Sequence, residues 1–171
     1  MATQFIYASL SENGTVDGVK GDQTKNEVKV GKVYDFGQDT VLRFTNPSRA
    51  TLFVAYCKIF ADNNIVGYSQ NDRYSLYTEL QKRGFGITRV MNDLANKKFP
   101  KCNADCSSFV SAMLSLAYGK GLGVETTGSI IQALTRHYPN SFKLIKYDAS
   151  KQKNGDIVLK ANHHVVVAAI L

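Results

Sequence analysis

The sequence lacks every long apolar run that would suggest a membrane. No stretch approaches the ~18–20 apolar residues of a spanning helix, and the longest run covers only residues 165–171. Residues 1–8 carry neither the basic region nor the apolar core of a secretory signal. The expectation is a protein made in the cytoplasm, with no signal peptide and no insertion into membrane. Cysteine is scarce: Cys57, Cys102 and Cys106 are an odd three in 171 residues, which excludes a disulfide framework and leaves a free thiol unless chains are cross-linked. Repeats, low-complexity tracts and Pro/Gly/Ser linkers are absent too, so residues 1–171 read as one domain. Acidic residues are the minority, 14 against 21 Lys plus Arg, giving a net +7 that favours anionic partners. Yet no basic run exceeds two residues (Lys82-Arg83, Lys97-Lys98), so the clustered stripe of a nucleic-acid binder is missing.

What is present suits a packed interior: 44% hydrophobic residues, with nine Tyr and nine Phe. Residues 9–32 hold several glycines among polar side chains and read as surface turns between short extended pieces. Asn46 can cap a helix that Pro47 opens, and Leu52, Phe53, Tyr56, Cys57 and Phe60 recur at helical spacing to about Asp62, making Cys57 a core thiol. Further helices are expected at about residues 70–83, with Tyr74, Tyr77 and Leu80 on one stripe and Gly84 as the stop, at 87–94, and at 126–137. Pro100 and the polar residues after it interrupt periodicity. Residues 106–118 then form a helix apolar on most sides except for Ser107, Ser108, Ser111 and Ser115, ending at Gly119, which marks it as the central buried helix. Strands are expected at 142–147, 157–160 and 163–171, with a turn at Asn154-Gly155-Asp156. Helices first and strands afterwards argue an α+β fold.

Chemistry concentrates around Cys106. It follows Asp105 and opens the central helix, where unpaired N–H groups and the positive end of the dipole favour an anion, so the thiol is expected to ionise more readily than a free one. A cysteine nucleophile needs a base, and the chain has three histidines. His137 lies at the end of an amphipathic helix, where a cation complements the helix C-terminus. The adjacent pair His163 and His164 enters the last strand, and alternation sends one toward the core helix and the other away. Cys102, Cys106 and this histidine pair make a poor zinc set.

The segment Asp105-Cys106-Ser107-Ser108-Phe109-Val110 resembles the nucleophile motif of NlpC-type, papain-like cell-wall peptidases, and Gly155-Asp156-Ile157-Val158-Leu159 followed by His164-Val165-Val166-Val167 resembles that family's Gly-Asp strand and histidine strand, in the family's order. Upstream, Glu12-Asn13-Gly14, Gly21-Asp22-Gln23-Thr24 and Gly67-Tyr68-Ser69-Gln70-Asn71-Asp72-Arg73 are similar to phage endolysins that attack Gram-positive walls.

The resemblance implies a papain-like core, with the central helix carrying the cysteine packed on a mostly antiparallel sheet. It also implies that the protein acts on peptidoglycan after release from the host cell, with no metal or other cofactor and no nucleic-acid partner. Cys106 would attack an amide carbonyl, and His164 would accept the thiol proton and return one to the leaving amine. The Cys106 backbone N–H and one further donor would hold the oxyanion. Gln23 is the candidate for that donor; Asp22 would orient His164 or fix its own loop, and Asp105, Ser107, Tyr68, Gln70, Arg73 and His163 are candidates to line the cleft. The family's third catalytic residue ordinarily sits on the strand after the histidine, a position past Leu171. Two explanations stay open: the orienting group comes from elsewhere, or the sequence is a catalytic piece that a C-terminal wall-binding domain follows. The rival reading is a non-enzymatic basic module for anionic wall polymer or nucleic acid, in which Cys106 is incidental.

Overall fold

A computed structural model describes residues 2–11, 13–21 and 27–170. Its main sheet has six strands, β1 (Thr3–Ala8), β2 (Val28–Lys32), β3 (Thr40–Phe44), β6 (Phe142–Lys146), β7 (Ile157–Lys160) and β8 (His164–Ile170), in the order β2-β1-β8-β7-β3-β6. Every pairing in it is antiparallel. A small parallel pair, β4 (Val66–Tyr68) with β5 (Cys102–Ala104), stands apart. The helices are α1 (Pro47–Asp62), α2 (Ser75–Lys82), α3 (Ile87–Ala95), α4 (Cys106–Tyr118) and α5 (Ile130–His137). The fold is α+β, as expected, but its strands do not simply follow its helices. Three precede α1, and β1 pairs with β8, so the sheet is closed from both ends of the chain. Among the described residues, no helix is long and apolar enough to cross a membrane.

Strand alternation divides the interior in two. Val165, Val167 and Ala169 of β8 face the larger core with Phe53 of α1 and Phe109 and Met113 of α4, while Val166 and Ala168 join Phe5, Tyr7, Val41 and Val158 on the other face. That second face is covered by Tyr34 and Phe36, from the segment between β2 and β3. Burial on both sides is why β8 reads as continuously apolar.

Helix α4 forms where local signals agree. Asp105 Oδ1 accepts the Ser108 backbone N–H at 2.7 Å, and the Asp105 N–H donates to Ser108 Oγ at 2.8 Å, a reciprocal cap. Gly119, at φ 63°, ends the helix in the left-handed region that glycine enters without strain. The serine stripe is buried and bonded. Ser111 and Ser115 donate to carbonyls one turn back and accept the Glu125 and Leu122 N–H groups, which ties the following loop to the helix. The turn at Gly155 also holds, but Asp156 within it is buried and grips the Arg43 guanidinium through both oxygens at 2.8 and 2.6 Å.

Gly67 in β4 is required by space. A Cβ there would stand 2.5 Å from Asn103 Oδ1 and 2.6 Å from the Val19 carbonyl. Backbone cannot yield as a side-chain tip can, so Gly67→Ala is expected to cost about 1–3 kcal/mol. Thermal unfolding would then fall by roughly 3–10 °C for a chain of this size.

Candidate active site

Cys106 is the first residue of α4. Its side chain shares the larger core with Val165 of β8, and the backbone N–H groups of Val165 and Ser107 favour its ionised form. Only 8% of the residue is exposed. The expected fall in thiol pKa is not found. Burial comes first and the Asp105 carboxylate next, and together they push Cys106 up to about 11, against the pull of the two N–H groups and Arg73. The helix-terminus argument is sound in sign but local, and here it is outweighed by desolvation.

Asp105 is more than a cap. Its Oδ1 also accepts from Ser107 Oγ at 3.1 Å, and its Oδ2 lies 2.7 Å from Arg73 Nε in an ion pair whose two side chains are largely buried. Arg73 Nη2 donates to Ser107 Oγ at 2.9 Å and to the Glu125 carbonyl at 2.7 Å. Arg73 and Ser107, both cleft candidates, are therefore bound to one another and to Asp105, and they brace the residue that starts the helix.

Of the adjacent histidines, His163 is exposed in the turn, while His164 is half-buried at the start of β8. Alternation puts His164 on the Val166 face, where the rings of Tyr7, Tyr34 and Phe36 surround it at centroid distances of 6.4, 6.3 and 5.1 Å. His164 Nε2 is 2.8 Å from Tyr34 Oη. Burial, then the charge of His163, pushes the imidazole down to about 4. Val165 packs in the core that holds Cys106, whereas His164 alternates onto the other face of β8, and among the described residues the Cys106 and His164 side chains are not hydrogen-bonded to each other.

Two tyrosines complete the surroundings. Tyr68, a cleft candidate, is buried at the end of β4, accepts weakly from Gln70 Nε2 at 3.5 Å, and is pushed up to about 12 by burial, with Cys106 contributing further. Burial likewise raises Tyr34, followed by the charges of Tyr7 and Cys106. Both phenols thus feel the sulfur. Tyr34 had no place in the sequence reading; the alternation Tyr34-Asp35-Phe36 was its one available signal. Asp22 and Gln23 lie outside the described residues. His137 sits at the end of α5, as expected.

Fold and site together define the class: an α+β protein with a buried helix-tip thiol, a capping carboxylate held by arginine, and a ring-packed imidazole at the start of a strand of its antiparallel sheet. The chain belongs to the endolysin-like domain family, whose model matches residues 6–170. Membership points to a phage-type cell-wall hydrolase with peptidoglycan as its substrate class. No curated protein and no solved structure was found to match the chain.

Proposed function

We propose that residues 1–171 form one catalytic domain of the NlpC, papain-like type, a cysteine-dependent hydrolase of amide bonds in the peptide of Gram-positive peptidoglycan. The observation that carries this reading is the Cys106 thiol at the tip of α4, directly after a capping Asp105 that Arg73 holds in an ion pair. In the proposed reaction the sulfur attacks the amide carbonyl while His164 takes the thiol proton. The imidazolium then protonates the departing amine, and water, deprotonated by His164, releases the acyl group from the thioester. The Cys106 N–H belongs to the first turn of α4 and is suited to the oxyanion, with Gln23 as the proposed second donor.

With the thiol raised and the imidazole lowered, the resting pair is neutral at pH 7 rather than an ion pair. Proton transfer then accompanies attack instead of preceding it. A base must be unprotonated to act, and His164 stays so until pH falls to about 4, well below the ordinary imidazole value of about 6.5. Cleavage of isolated walls is therefore expected to persist through pH 5 and to fail near pH 4. His163→Gln removes the neighbouring charge that depresses His164, so it should move this acid limb to higher pH. An unshifted limb in that variant would detach His163 from the titration.

The bond type is tested directly. Purified Gram-positive walls treated with the protein should gain free amino groups and no new reducing sugar ends, and mass spectrometry of the released fragments identifies the amide cut. New reducing ends would make the protein a glycosidase, and no new ends of either kind would end the hydrolase reading.

A further inference from the structure

We propose that Tyr34 is the positioning residue of the site, holding the His164 imidazole through its hydroxyl in the orientation and tautomer that a base for Cys106 requires. The inference rests on the cysteine-hydrolase reading above and supplies the group which that reading leaves open. An imidazole acting on a thiol needs a third group, because a free ring rotates about its Cβ and exchanges the proton between its two nitrogens. Tyr34 Oη lies 2.8 Å from His164 Nε2. That contact leaves Nδ1 as the nitrogen available to the thiol. To receive the Cys106 proton, Nδ1 must be bare, so Nε2 carries the ring hydrogen and Tyr34 Oη accepts it.

The hydroxyl is itself held in place. The Tyr34 ring meets Phe5 edge-on at 5.9 Å, and it packs on Tyr7 at 5.2 Å and Phe36 at 5.5 Å. Phe36 also closes on the imidazole edge-on at 5.1 Å. The segment carrying both rings spans from β2 to β3 across the face on which His164 lies. These contacts pack the ring on three sides, which is what a positioning group needs. Among the described residues, the other charged or titratable groups near His164 do not replace it. His163 is exposed, Tyr7 meets the imidazole by its ring, and Lys160, opposite His164 in β7, is engaged with Asp39 at 2.5 Å. Cys106 is the proposed reaction partner.

Tyr34→Phe keeps the ring and removes only the acceptor. On solubilised Gram-positive peptidoglycan fragments, kcat should fall about ten- to a hundredfold with KM within about twofold of the parent. The acid limb should move to lower pH, because an acceptor on Nε2–H favours the protonated ring and its loss disfavours it. Parental kcat with an unshifted limb overturns the proposal. So does a loss of activity that tracks a fall in thermal midpoint while the limb stays fixed, since that marks packing alone. Cys106→Ala, assayed beside it, separates the two readings. If that variant still cleaves the fragments, the cysteine mechanism fails whatever Tyr34 does; if it is inactive while Tyr34→Phe equals the parent, only the positioning role fails.

Discussion

Clearing of Gram-positive cell suspensions is expected to vanish when Cys106 is replaced by alanine. The sulfur is the atom proposed to bond the substrate, and the adjacent Ser107 hydroxyl does not substitute for it, being tied to Asp105 and Arg73. Loss of a nucleophile in covalent hydrolases costs roughly 10⁴- to 10⁶-fold, far below what a turbidity assay detects. Folding should survive, since removing one sulfur costs on the order of 1 kcal/mol. Thermal melts of variant and parent should therefore nearly coincide, which separates lost chemistry from lost structure. The other thiols are the controls. Cys57 and Cys102 are fully buried and pushed up by that burial, so Cys57→Ala and Cys102→Ala should lower the melting temperature and leave clearing intact. Iodoacetamide should mark Cys106 first of the three, though slowly, because its thiol too is raised. Equal clearing by Cys106→Ala and the parent would sink the cysteine mechanism.

The part of this site legible in the sequence is the part decided within a few residues. Cys106 as the opening residue, Gly119 as the stop and the apolar strand after His164 are each set by near neighbours, and each stands where local rules put it. Residues 70–74 and 126–129 show the limit, because their helical spacing is used in turns and α2 and α5 begin only at Ser75 and Ile130. β1 and β3 are not legible in the sequence because their identity depends on partners far along the chain, β8 for β1 and β7 for β3. The thiol pKa misled for the same reason. A dipole is local, whereas burial of the sulfur is produced by the packing of α4 against β8 and β1, which no spacing reveals. Tyr34 lies 130 residues from His164, and only the sheet order brings them together. Asp156 read as a turn former; its pairing with Arg43 of β3 is equally a product of topology.

The second large effect concerns Asp105, and two substitutions there should separate its structural from its electrostatic role. Asp105→Ala deletes the cap, worth about 1 kcal/mol, and strips the buried Arg73 guanidinium of its carboxylate, which costs about 3–5 kcal/mol when a partner is removed from such a pair. A combined loss of roughly 4–6 kcal/mol is a large share of the 5–15 kcal/mol that stabilises ordinary domains. The variant should unfold roughly 10–20 °C below the parent or fail to accumulate. Asp105→Asn keeps an oxygen able to accept the Ser108 N–H, so α4 should still be capped while the charge is lost. Asp105 is the second largest cause holding the Cys106 thiol up, and Arg73 acts in the opposite direction. Removing the carboxylate should therefore bring the thiol down from about 11, and alkylation of Cys106 should rise with pH earlier than in the parent. Stability still falls, because Arg73 is left without its counter-charge, and Arg73→Leu added to Asp105→Asn should restore part of it by removing the stranded cation. If the asparagine variant titrates at the parental thiol pKa, the Asp105 charge does not act on Cys106; if the alanine variant melts with the parent, the cap and ion pair contribute little to the fold.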